Sequence, residues 1–350
     1  MLEWEEEQEV IQSMNEIFLE NILSEISVSG CEEPVQEVVK AYMKDYADEI
    51  REDEIGDVVC VLNPGSSKRI MLSAHADEIG AVISNVTENG RLQVVSRGGI
   101  IPFTYPGQQI QIRTREKIVY GVVEARREFF DNKEMKAKDF LVDIGAVTKE
   151  EALRQISLGD AVVLDTHIRR MMNGRLTARA LDDRLGVFII MEALRRAKEK
   201  GCSAGVYAAA TVGEETTKNG AYWCSARIKP DAAIVVDVTY CSDYGDKETA
   251  EAGTVTLGGG PVLCNSPTVA KKMNDKMEAC GADLQIPIQR EAASGLTCTD
   301  GDRIHFSGEG VPLVLVSIPL RYMHTPAEVA DLKDVEGCIE LIAEFLCRYE

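Results

Sequence analysis

Several short stretches of this chain set carboxylates and imidazoles where a cation could be held. Ala180-Leu181-Asp182-Asp183-Arg184-Leu185-Gly186 places two acids side by side, directly before an apolar run from Val187 to Leu194. Adjacent carboxylates repel, so a chain that puts them beside a buried segment needs positive charge there. Arg184 is one candidate and a divalent cation is the other. The competing reading is a helix N-terminus, where Asp caps free N–H groups and meets the positive end of the helix dipole. The rest of the chain favours a cation. It offers His75-Ala76-Asp77, the pair Glu214-Glu215, Asp237 closing Ala232–Val236, and His324 within Arg321-Tyr322-Met323-His324-Thr325-Pro326. One carboxylate shared by two metal ions, with histidine and acid partners on each side, would draw on all of them.

Spacing gives these residues separate tasks. Positions i and i+2 of a strand point the same way. Asp77 can therefore hydrogen-bond one nitrogen of His75 and leave the other free for a metal, as carboxylates behind ligating histidines do; a surface His–Asp pair is the alternative. Glu214-Glu215 follows the apolar run Val206–Gly213, and ligands in α/β folds bind at the carboxyl ends of strands. Neighbours there point in different directions, so one glutamate can bind metal while the other faces a water on it; the alternative is two acids at a helix N-terminus. Of only four histidines, His75 and His324 fall at strand ends. His167 and His305 read as structural. A Walker-type phosphate loop is missing. No cysteine has a local histidine partner.

The elements that must position these groups read as an α/β fold. Residues 9–26 have helical periodicity. Pro34 opens a second helix to about Ile50, and strands are expected at Ile55–Leu62 and Ile70–Ala74. From about Ile83 short runs separated by Gly, Pro and charged turns (Leu92–Val95, Gln109–Thr114, Ile118–Val123, Phe140–Ile144, Ala161–Leu164) predict a small β-barrel. After Asn173, strands alternate with helices: helix 184–199, strand 205–211, a helix after Glu215, strand 232–237, strand 252–257, helix 268–280, strands 284–289 and 312–317, and a closing helix 328–348. This alternation predicts a mixed sheet flanked by helices. The expected organisation is a catalytic domain in two parts, 1–83 and 173–350, with a β-barrel inserted at 84–172.

Bulk properties narrow the function. The chain has 350 residues, 45% of them hydrophobic, and a formal net charge of −20. That charge argues against nucleic acid and anionic membrane surfaces as partners. The ten cysteines are scattered without a Cys-x-x-Cys pair, as buried free thiols are. The acidic N-terminus does not resemble a signal peptide, and no apolar run is long enough to span a membrane. A cytoplasmic location is expected.

Taken together, His75-Ala-Asp-Glu-Ile-Gly80, Ala180-Leu-Asp-Asp-Arg-Leu-Gly186, Val212-Gly-Glu-Glu-Thr216, Val236-Asp-Val-Thr239 and Arg321-Tyr-Met-His-Thr-Pro326 resemble the motifs of the M42 metallo-aminopeptidases. That family includes glutamyl, leucyl and lysyl aminopeptidases and members once labelled endoglucanases. The match runs in order from about residue 12 to the end. The resemblance implies a zinc-exopeptidase-like fold and two divalent ions, zinc or cobalt. One ion would take His75, Asp182 and Asp237, and the other Asp182, Glu215 and His324, with Asp182 bridging. It further implies Glu214 as general base, Asp77 orienting His75, peptide substrates, and homo-oligomers from dimers to dodecamers. Residues 124–139 and 241–251 depart from the family pattern, as does an acidic extension before about Ile11. The activity implied is removal of the N-terminal residue of peptides. A glycoside hydrolase using paired acids is an alternative, though it has no use for the two histidines. An inactive scaffold of the same fold is another.

Overall fold

The computed structural model describes residues 14–245 and 252–349, except 128 and 130–133. Its elements in order are α1 (Glu16–Ser24), α2 (Glu33–Met43), β1 (Glu49–Glu52), β2 (Val58–Leu62), β3 (Arg69–His75), β4 (Gly80–Val86), β5 (Leu92–Arg97), β6 (Gln109–Arg113), β7 (Ile118–Val123), β8 (Leu141–Asp143), α3 (Lys149–Leu153) and β9 (Ala161–Leu164). The second half contains β10 (Arg169–Arg170), β11 (Arg175–Ala178), α4 (Leu181–Glu199), β12 (Gly205–Thr211), α5 (Asn219–Ile228), β13 (Ala232–Tyr240), β14 (Val262–Asn265), α6 (Lys271–Leu284), β15 (Gln289–Ala292), α7 (Gly301–His305), β16 (Leu313–Leu320), β17 (Glu328–Asp331) and α8 (Leu332–Arg348).

An eight-stranded mixed sheet runs in the order β1-β2-β12-β3-β13-β16-β14-β15. Its centre, β12-β3-β13-β16, is parallel. Central strands are buried on both faces, which is why they read as unbroken apolar runs. Their side chains still sort by the two-residue period. Ile70, Leu72, Ala74, Val206, Ala208 and Ala210 enter the core under α1, α2, α4, α6 and α8. Met71, Tyr207 and Ala209 face the opposite way, into a second core with Ala221, Cys224, Ile228 and Ile304 of α5 and α7. The expected mixed sheet flanked by helices is therefore the observed fold.

Between β3 and β10 the chain forms a closed barrel, β4-β5-β8-β7-β6-β9. Alternate residues such as Ile83, Leu92, Val94, Ile110, Ile112 and Val142 fill its interior. Its first strand, Gly80–Val86, spans the expected division at 83/84. A third, small sheet, β10-β11-β17, lies beside the main one.

Several elements differ from expectation. Residues 252–257 form no strand; the strand of that region is β14, which has β15 and β16 to pair with. Residues 284–288 are the end of α6 and a turn, with a strand starting only at Gln289, because Met273, Met277 and Cys280 keep the helix packed until Gln285 caps it in the left-handed region. The closing helix begins four residues late, since Glu328–Asp331 pair with β11. Residues 49–52 extend not a helix but the sheet, against β2. The first helix is described from Glu16; the part expected at 9–13 lies outside the described residues, as do 246–251. The cysteines are all unpaired, and most are buried. No helix among the described residues is long and apolar enough to cross a membrane.

Candidate metal centre

The site forms where the sheet opens. Strands β3 and β13 pair only as far as Ser73–Val235, while β13 continues beside β16 to Tyr240–Leu320. Asp237 thus lies within a strand rather than at its end. The crevice left beyond Val235 receives the start of α4. His75, last residue of β3, has lost its β13 neighbour, and its backbone N–H donates to Asp183 Oδ2 at 3.3 Å. Asp183 Oδ1 accepts the Gly186 N–H at 3.1 Å. The helix-capping reading of the acid pair therefore describes Asp183. Regular helical backbone begins only after it, for Asp182 and Asp183 both have non-helical dihedrals and are joined by a cis peptide bond.

Asp182 is placed differently. Its Oδ1 lies 3.1 Å from His75 Nε2 and its Oδ2 3.2 Å from His324 Nε2. Glu215 Oε1 is 3.6 Å from the same His324 nitrogen. Atoms of His75, Asp182 and Glu215 cluster within 4.8 Å of one another, as do atoms of His75, Asp183 and Asp237. Donors held by one tetrahedral zinc at about 2.0–2.2 Å are separated by roughly 3.3 Å, so these spacings fit a divalent ion. In the second group, Asp183 has both oxygens engaged by N–H donors, whereas both Asp182 oxygens face imidazoles. Asp182 is the more available ligand on these grounds.

Arg184, the other candidate for balancing the acids, turns away from them. It is fully buried, pairs with Glu78, and donates to the carbonyls of Ile22, Leu23 and Glu25 and to Ser27 Oγ. Among the described residues no lysine or arginine pairs with Asp182, Asp183, Glu215 or Asp237. The electrostatics record that deficit. Burial, then Asp182, pushes Glu215 up to about 8. Burial raises Asp237 to about 7, with His75 opposing and Asp182 adding. Burial, then Asp237, raises Asp183 well above the carboxylate range. Burial would depress both imidazoles, but hydrogen bonds and charge from Asp182 and its acidic neighbours raise His75 strongly and bring His324 to about 9. Asp182 itself is held low, because the two histidines outweigh its burial. Buried acids that must share too little positive charge suit a cation.

Asp77 does more than sit behind His75. Its Oδ1 is 3.3 Å from His75 Nδ1, and its carbonyl oxygen is 3.1 Å from the same nitrogen. The carboxylate also accepts the N–H groups of Glu214 at 3.0 Å and Glu215 at 3.2 Å, and the Ser29 hydroxyl. One buried acid thus fixes both His75 and the turn that presents the two glutamates. Glu214 points one oxygen at Lys218, in an ion pair, and holds Oε2 3.9 Å from His75 Nε2.

The M42 glutamyl aminopeptidase profile matches residues 56–341. The chain belongs to the M42 family. Lysyl aminopeptidase of Pyrococcus furiosus is 32% identical over 94% of this chain and 95% of its own length. The TET aminopeptidase of a marine-sediment Thaumarchaeota archaeon superposes with a TM-score of 0.89 at 31% identity, covering 95% of this chain and 96% of that one. The Pyrococcus horikoshii TET1 peptidase, which can assemble into a tetrahedron or a large octahedral shell, superposes with a TM-score of 0.85 at 27% identity, covering 97% of this chain and all of its own. As an M42 member this protein is a peptide hydrolase.

Sequence reasoning passed over several groups of this M42 site. Asp183, Ser29 and Lys218 carried no separate signal. Glu328 was read only as the start of a helix, yet it is buried and bonded to the backbone of both Asp182 and His324. Its sole hint was an acid in an apolar segment four residues after a candidate ligand.

Proposed function

We propose that this M42 protein removes N-terminal residues from peptides with two divalent ions, one held by His75, Asp182 and Asp237 and the other by Asp182, Glu215 and His324. The observation that carries the reading is Asp182, buried without a lysine or arginine partner among the described residues and offering one oxygen toward each imidazole. Cations bound there would polarise the scissile carbonyl and acidify water. Glu214 takes a proton from the attacking water and returns it to the leaving amine. Its backbone is fixed by Asp77, and its Oε2 faces the same space as His75 Nε2. Asp77 keeps the His75 ring oriented with Nε2 toward Asp182.

Zinc and cobalt suit the imidazole and carboxylate donors. A cytoplasmic homo-oligomer belongs to the same proposal, the assembly supported by the TET1 relative, as does the division into catalytic segments 1–83 and 173–350 around 84–172. A glycoside hydrolase would leave His75 and His324 without a task.

Metal-stripped protein, assayed on a panel of aminoacyl-p-nitroanilides and on carboxymethyl cellulose with zinc, cobalt or manganese added back, tests the reading. Metal-dependent release from one residue class is expected, with no cellulose cleavage. Binding of both ions without any release would refute it.

A further inference from the structure

We propose that Glu328 is a positioning residue that ties the bridging carboxylate to His324 and so governs the ion on the His324 side, leaving the His75 side largely independent. The inference rests on the two-ion reading above. Glu328 is 2% exposed. Its Oε1 accepts the His324 N–H at 2.9 Å and its Oε2 the Asp182 N–H at 3.2 Å. With both oxygens committed to backbone donors, it serves the ligands rather than joining them.

The two segments it links arrive from opposite ends of the site. Asp182 follows β11 through Ala180, a non-glycine residue at φ 56°, and His324 stands at φ 63° in the loop after β16. L-residues adopt this region reluctantly, so each ligand needs an outside constraint. Glu328 is built into both segments. It pairs with Ala178, four residues before Asp182, in the β11–β17 ladder. Its neighbour Val329 bridges Arg321, three residues before His324. A carboxylate at this junction fixes how far His324 Nε2 lies from Asp182 Oδ2, the 3.2 Å gap at which an ion would sit. His75 itself is held by β3 and Asp77, so its side of the site shares only Asp182 with this junction.

The test is zinc binding, followed by competition with a chromophoric chelator, in the full chain and its Glu328→Ala and Glu328→Gln variants. The parent should bind two ions. In Glu328→Ala one ion should weaken by about 10–100-fold while the other stays within about threefold, the size expected for loss of an outer partner. Glu328→Gln, which keeps an acceptor for one N–H, should fall between. His324→Ala should weaken the same ion, and adding Glu328→Ala to it should cost little more. Equal weakening of both ions, or unchanged binding in Glu328→Ala with the parent's melting temperature, would overturn the proposal. If Glu328→Ala does not fold, an unchanged pair of affinities in Glu328→Gln overturns it. A parent that binds no zinc would sink the two-ion reading itself, a failure visible before any variant is compared.

Discussion

Replacing Glu214 by Gln separates proton transfer from metal binding. The amide keeps the shape of the side chain but cannot take a proton near neutral pH. The contacts among the proposed ligands run between His75, Asp182, His324 and Glu215, at 3.1 to 3.6 Å, whereas Glu214 approaches His75 Nε2 only to 3.9 Å. Bound metal should therefore persist. The fold should persist as well: Lys218 loses its ion pair but keeps its bond to the Cys298 carbonyl at 2.8 Å, and it is one-quarter exposed, so the change should cost no more than about 1 kcal/mol. Turnover is another matter. A positioned general base is worth about 10²–10⁴-fold, which at ~1.36 kcal/mol per tenfold is about 2.7–5.4 kcal/mol of barrier. The assay is kcat and KM on the best p-nitroanilide, with metal content measured on the same sample. A fall in kcat at constant KM and full metal loading is expected. A loss smaller than about tenfold, or one that tracks lost metal, would remove Glu214 from the role.

Asp77→Asn should weaken metal binding by about 10–100-fold, because the amide must serve His75, Ser29 and two backbone donors with one acceptor fewer; equilibrium dialysis against zinc would detect it. Metal-stripped protein should melt at falling temperature as pH rises from about 4, the ordinary carboxylate range, to about 8. Glu215 is raised to about 8 and Asp237 to about 7, so the folded state holds protons that the unfolded state releases, and stability is lost as pH climbs through the raised values. Added zinc should flatten that slope; an equal slope with and without metal would count against the site. Gly186→Ala should destabilise by about 1–3 kcal/mol in urea unfolding, since a Cβ there would overlap both Asp183 oxygens.

Much of this molecule is legible in order along the chain. The central strands announce themselves because both faces are buried, and His75 and the Glu214-Glu215 pair are visible as polar residues that end such runs. The expected ligands come together because parallel strands deliver their carboxyl ends to one edge. What the chain could not disclose is which charge answers which. Arg184 adjoins the acid pair in sequence, yet its partner is Glu78, far away along the chain. Asp182 and Asp183 are chemically identical neighbours, and only the opening between β3 and β13 makes one a cap and leaves the other facing the imidazoles. Local pattern also placed 284–289 in a strand and 328–331 in a helix, because periodicity over a few residues does not reveal which strand is available to pair. Residue type and strand ends are local properties, so the sequence by itself determined the kind of chemistry. Partnership depends on contacts between segments more than a hundred residues apart, so only the tertiary structure decided the division of labour among the acids.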